Sequence, residues 1–150
     1  MLKLNIKYSC KNKKNIPTKK IIKKWIKKIT KKSINYIFTI NVVNKKKMIK
    51  LNFLYKKKKK ETNILSFPII NILNENEKLI LGDLVICKSV LEKESKKYKF
   101  KIKEYWARII IHGILHLTGY QHNNFLNRKN MEKKEIQTMK SFGFKNPYYI

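Results

Sequence analysis

All three histidines of the chain fall within eleven residues, His112 to His122, and that block restricts the fold more than any other feature. His112 and His116 are four apart, so a helix stacks their imidazoles on one face, pointing the same way. The stretch before them reads as that helix. Tyr105, Trp106, Ile109, Ile110, Ile114 and Leu117 recur at three- and four-residue spacing, and no proline falls between Lys101 and Leu117. Gly119 then offers the left-handed conformation with which helices commonly end. A turn there brings His122 back toward the first two rings.

Neutral imidazole is a common zinc ligand, and three protein ligands with a fourth position left to water is the coordination of catalytic zinc. The spacing agrees with the zinc-peptidase signature H-E-x-x-H-x-x-G-x-x-H at every fixed position but one, because Gly113 stands where the glutamate belongs. Losing that general base keeps the metal grip and argues against peptide hydrolysis. A lone histidine on an apolar face is more often a core residue than a ligand, and an i, i+4 pair arises by chance. Three of three in one window, with a glycine at the turn, favour a metal. An all-nitrogen set puts zinc first, although nickel, copper or iron would accept it.

A length of 150 residues suffices for one real core, and nothing marks a second, so 1–150 reads as a single domain. Cys10 and Cys87 lie far apart with no C-x-x-C spacing, which argues against a disulfide framework and makes a reducing compartment the default. The N-terminus is no signal peptide and no apolar run approaches membrane-spanning length. A cytoplasmic protein without a membrane partner is expected. The net charge of +28 is permissive of RNA, since lysines that neutralise phosphates release counterions. Yet 35 of the 37 basic residues are lysine, beside abundant Asn and Ile, and these are the residues of A+T-rich codons. Biased composition therefore explains much of the excess without a ligand.

Leu2, Leu4, Ile6 and Tyr8 alternate with polar residues as in a strand with one buried face. Pro17 fits the first turn of an amphipathic helix whose apolar stripe is Ile21, Ile22, Trp25, Ile26 and Ile29. Ile34, Tyr36, Phe38, Ile40 and Val42 form a second strand. Asn44 is placed to cap a helix through Met48, Leu51, Leu54 and Tyr55, which the lysines Lys56 to Lys60 end. Thr62 to Pro68 reads as a strand closed by proline, and Asn71 to Lys78 as a loop. Leu79 to Cys87 is a near-continuous apolar run, typical of a strand buried on both faces. Asp83, the only aspartate, interrupts it and either marks a structural turn or, if buried, needs a partner: a backbone amide, a lysine, or the second nitrogen of a metal-bound histidine. Ser89 is a candidate cap for a helix through Val90, Leu91 and Glu94. Met131, Ile136 and Met139 mark a last helix, with Glu132 and Glu135 between them and Gly143 at its end. Without a Gly-rich phosphate loop, no small-molecule cofactor is expected.

Several of these stretches together resemble the YbeY family of metal-dependent endoribonucleases, from end to end of the chain. The carriers are Leu51-Asn52 through Tyr55, Thr62 to Pro68, Leu81 to Cys87, the His112 to His122 block, and Phe142-Gly143-Phe144 with Pro147-Tyr148. The resemblance implies an α+β fold, a small mixed sheet packed against several helices, with a central buried helix carrying two of the histidines. It implies zinc on His112, His116 and His122. The activity implied is single-strand-specific RNA cleavage in 3′-end maturation of small-subunit ribosomal RNA and in ribosome quality control, beside ribosomal proteins. Two positions depart from the family pattern: Gln121 replaces an aspartate before the third histidine, and Lys56 replaces an arginine after the tyrosine. Lysine offers a phosphate only a point charge where arginine clamps it bidentately.

The mechanism expected is attack on an RNA phosphodiester by a zinc-activated water. Lys56 and its neighbours hold the phosphate; the metal-bound hydroxide needs no separate proton acceptor, or Asp83 or the substrate phosphate serves as one. The rivals are a zinc peptidase and a non-catalytic RNA-binding assembly factor.

Overall fold

Alternating apolar and polar residues build the first strand, and the computed structural model, which describes residues 1–148, pairs it with the second. β1 (Leu2–Tyr8) runs parallel to β2 (Asn35–Val43), from Leu2 opposite Tyr36 to Tyr8 opposite Val42. A parallel pair needs a crossover, and α1 (Lys19–Ile29) supplies it. Ile22, Trp25 and Ile26 are buried on its inner stripe, while the lysine pairs face solvent. Pro17 lies outside the helix, which begins two residues after it: Thr18 is the cap, its Oγ1 accepting from the Ile21 N–H at 3.3 Å.

α2 (Lys45–Lys56) follows, capped as expected by Asn44, whose Oδ1 accepts from the Lys47 N–H at 2.8 Å. β3 (Ile64–Leu73) and β4 (Lys78–Cys87) then form an antiparallel hairpin, and β4 inserts parallel to β2, giving the order β1-β2-β4-β3. The sheet is thus mixed. Pro68 does not close its strand, and only Asn74 to Glu77 turn. β3 lies at the sheet edge, where a residue without an N–H costs no ladder bond, and the register slips between Pro68 and Ile70.

α3 (Lys88–Lys97), α4 (Ile102–Leu117) and α5 (Phe125–Ser141) complete the chain. α3 starts directly from Cys87 with no side-chain cap, so Ser89 sits inside its first turn. α4 is the central element. Trp106, Ile110, Ile111, Ile114 and Leu115 on it have no measurable exposure, and each such burial contributes roughly 1.5–3 kcal/mol. They pack with α1, α5 and the sheet face formed by Phe38, Ile40, Leu84 and Ile86. α2 covers part of the opposite face, its buried Met48 packing with Val43, Leu65 and Val85.

Two glycines let α4 approach the sheet closely. A Cβ on Gly113 would stand 2.6 Å from Ile64 Cδ1 and 2.8 Å from Leu84 Cδ2, and one on Gly82 would stand 2.8 Å from Leu117 Cδ2. Among the described residues, no helix is long and apolar enough to cross a membrane.

Candidate metal centre

The histidine block folds at the C-terminal end of α4. His112 and His116 leave the same face one turn apart, and the helix then stops at Thr118. Gly119, at φ 110°, reverses the chain: its N–H donates to the His116 carbonyl at 3.1 Å, and the Tyr120 N–H to the Leu115 carbonyl at 3.0 Å. That reversal returns His122 to the other two. One ring nitrogen from each of His112, His116 and His122 lies within 4.8 Å of the others.

The hydrogen bonds fix which nitrogen of each helical ring faces inward. His116 Nδ1 lies 3.1 Å from the Tyr120 carbonyl, which can only accept, so the proton is on Nδ1 and the lone pair on Nε2. His112 Nδ1 lies 2.8 Å from Glu135 Oε1, and a carboxylate imposes the same assignment. The two Nε2 atoms, both left with lone pairs, are then 3.1 Å apart. Such an arrangement is repulsive by itself and becomes favourable around a cation. Burial, followed by the neighbouring His112 and His122, lowers the His116 pKa from 6.5 to about 4, keeping the ring in its ligating form. The donor set fits a divalent metal.

Glu135 was not singled out by sequence reasoning. It is 2% exposed on α5; besides His112 it accepts at Oε2 from the Tyr148 hydroxyl at 2.8 Å. The signal that could have found it is its place on the buried face of α5, four residues from both Met131 and Met139. Burial and the Glu135 charge raise the Tyr148 pKa, so its hydroxyl stays a donor.

Asp83, expected as a partner of a histidine or as a proton acceptor, is not brought to this site. Gly82 and Leu84 face α4, so alternation along β4 turns Asp83 to the other side of the sheet. There it lines a separate cavity with Lys47, Tyr55, Phe67 and Val85. The carboxylate on a histidine's second nitrogen is Glu135 instead. Gly113 likewise faces the sheet, wedged against Ile64 and Leu84, so a peptidase glutamate at that position has no room.

A cleft of about 690 Å³ opens over the histidines, within the range of ligand sites. Asn63, Ile64, Ser66 and Pro68 contribute one part of its lining, Tyr105, Arg108 and Ile109 of α4 another, and Tyr148 and Gln121 border it. Lys56 lines it too, at the last residue of α2, after which Lys57 takes a left-handed conformation at φ 58°. Buried Asn52 ties down the lysine run by donating from Nδ2 to the Lys60 carbonyl at 2.9 Å. Glu94 steadies the cleft from behind, accepting from Asn63 Nδ2 at 2.9 Å and from the Tyr105 hydroxyl at 3.3 Å.

Comparison with known proteins agrees with this architecture. The family described as Endoribonuclease YbeY matches residues 6–143. Endoribonuclease YbeY of Buchnera aphidicola subsp. Acyrthosiphon pisum is 51% identical over 149 residues, covering 98% of this chain and 95% of its own length. The Wigglesworthia glossinidia brevipalpis enzyme of the same name is 42% identical over 149 residues, covering 97% of each. A Thermotoga maritima protein of known solution structure superposes with a TM-score of 0.60 at 19% identity, over 95% of this chain and 92% of that one, which supports the fold. With a family match spanning most of its length and close relatives along nearly all of it, this chain belongs to the YbeY family of endoribonucleases.

Proposed function

We propose that the cleft over the three histidines is the active site of an RNA hydrolase, and that His112, His116 and His122 hold its metal, zinc by preference. The observation that carries this reading is the pair of unprotonated Nε2 atoms 3.1 Å apart, each ring's tautomer fixed by an acceptor at its Nδ1. A set of three neutral nitrogens without a carboxylate suits zinc better than magnesium or calcium, which favour oxygen. When bound, the cation supplies Lewis acidity and an activated water for attack on a phosphodiester.

The chain's own residues do the rest. Glu135 and the Tyr120 carbonyl hold the two helical rings in their ligating tautomers. Lys56 offers a positive charge to the phosphate inside the cleft. Glu135 is already shared between His112 and Tyr148, which withholds it from service as a base. With Asp83 on the other face of the sheet, the substrate phosphate is the proton acceptor this reading favours. The substrate is single-stranded RNA, whose backbone bends into a cleft more easily than a duplex. The biological setting we infer is 3′-end maturation of small-subunit ribosomal RNA and ribosome quality control in the cytoplasm, with the small subunit and its proteins as partners.

The test replaces His116 with Ala and measures both bound metal and cleavage of a single-stranded ribosomal RNA fragment. Loss of metal together with cleavage supports the assignment; undiminished cleavage by the metal-free variant overturns it. Restoration of a chelated wild-type protein by zinc, and not by magnesium, identifies the cation.

A further inference from the structure

Besides Lys56, a second cation lines the cleft among the described residues, and the reading so far leaves it unused. Arg108 lies one turn before His112 on α4, so its side chain leaves the same helix face as the two imidazoles. Its Cζ stands 5.3 Å from the centroid of Tyr148, 5.5 Å from Phe100 and 5.8 Å from Tyr105. Three rings around one guanidinium restrict its orientation before any ligand arrives. Among the described residues Arg108 forms no ion pair, and Glu135, the buried carboxylate of the cleft, is taken by His112 and Tyr148.

Composition adds an independent argument. Only two of 37 basic residues are arginine in a chain where lysine fills nearly every basic position. The other, Arg128, is exposed on α5, whereas Arg108 is half-buried in the cleft wall. A guanidinium differs from an ammonium in its planar five-donor fork, which matches two oxygens of one phosphate and stacks on rings. Position 108 uses the stacking and leaves the fork without an anion.

We propose that Arg108 grips a backbone phosphate flanking the scissile one, setting which phosphodiester comes to rest against the histidines. This rests on the cleft being the active site. A contact with a flanking phosphate is made equally in the ground and transition states, so it governs KM more than kcat. Because a phosphodiester carries its charge in every nucleotide, the grip is indifferent to base identity.

The experiment uses the full, metal-loaded chain and a single-stranded RNA oligonucleotide, with kcat and KM measured across a salt series. Arg108→Lys keeps the charge and loses the fork; KM should rise roughly tenfold with kcat nearly unchanged and the salt dependence retained. Arg108→Met should raise KM further and make the slope of log KM against log salt shallower by about 0.7, the share of one single-strand phosphate contact. Arg128→Lys should match the wild type. A wild-type KM in Arg108→Lys overturns the proposal, as does a loss of kcat with KM and salt slope unchanged, the signature of a packing role.

Binding of labelled RNA by His116→Ala, with and without Arg108→Lys, separates this proposal from the reading beneath it. Weaker binding on loss of the fork upholds the grip even if His116→Ala still cleaves, in which case the metal assignment alone fails. Equal binding by the two overturns the grip whatever the metal does. Arg108→Lys keeps an aliphatic stem over the rings, so the test does not depend on the methionine variant folding.

Discussion

Glu135 on α5 reaches His112 on α4 across 23 residues of sequence, its Oε1 2.8 Å from Nδ1. The contact orients the imidazole, fixes its tautomer, and leaves Nε2 free to face His116. Carboxylates in this position raise the basicity of a ligating histidine, and their loss commonly costs 10–100-fold in metal affinity. Glu135→Gln keeps the shape and removes the charge. We expect it to weaken metal binding by about tenfold or more, with the fold preserved, when the metal is titrated against a competing chelator. Wild-type affinity in the variant would mean that the contact only packs α5 onto α4.

The metal-free protein should lose stability in mild acid through His116. Burial, then the neighbouring His112 and His122, depress its folded pKa to about 4, whereas the unfolded chain titrates near 6.5. Between those values the unfolded state binds the extra proton, so stability is full above 6.5 and declines as pH falls toward 4. Urea midpoints of the chelated protein at about pH 7.5 and about pH 5 measure the effect, and His116→Asn should remove part of the difference. An equal acid dependence in that variant would assign the loss to other groups.

Much of this architecture is legible locally, and its failures share a cause. The strands from Leu2 and Ile34 alternate, α4 carries its own period, and Gly119 marks its own turn, so neighbours in sequence announce each of them. Asn71 to Leu73 were hidden because Pro68 and the asparagines read as punctuation, although an edge strand tolerates both. Asp83 lies in a strand apolar on both faces, where no alternation tells which side a residue takes. Sequence reasoning therefore offered it to the histidines, while β4 turns it toward α2. Glu135 was invisible for the opposite reason: its partner lies on another helix, and only a charge on an otherwise apolar face hinted at it. The three ligands were readable because their spacing is itself the geometry of one helix turn and one glycine reversal.

Gly113 is predicted to be a packing requirement. A Cβ there meets Ile64 Cδ1 at 2.6 Å and fully buried Leu84 at 2.8 Å. Overpacking a well-filled interior costs typically 1–3 kcal/mol, and alanine returns about 1 kcal/mol of helix propensity. Gly113→Ala should therefore destabilise the protein by about 1 kcal/mol in urea unfolding. A variant more stable than the wild type would show that the two side chains yield at no cost. Gly113→Glu, the change that completes the peptidase signature, should unfold the protein rather than create a peptidase, as casein digestion and circular dichroism would together report.

Lys56 should stand apart from the four lysines that follow it, because among the described residues it alone of that run lines the cleft. Lys57 turns the chain away, Lys59 lies over the Phe53 ring with Nζ 5.1 Å from its centroid, and the Lys60 carbonyl is held by Asn52. A charge that meets the reacting phosphate acts on the rate, whereas charges outside the cleft act only through long-range attraction, which salt screens. Lys56→Ala is expected to lower kcat/KM by about tenfold at moderate salt, corresponding to about 1.4 kcal/mol of transition-state stabilisation. Lys58→Ala should lose little, and that little should vanish as salt is raised. Lys56→Arg should cleave faster than the wild type, since a fork replaces a point charge against the same phosphate. If the Lys56 and Lys58 variants lose activity equally and both recover the wild-type rate at high salt, the lysine run is a general electrostatic attractor and Lys56 has no role at the phosphate.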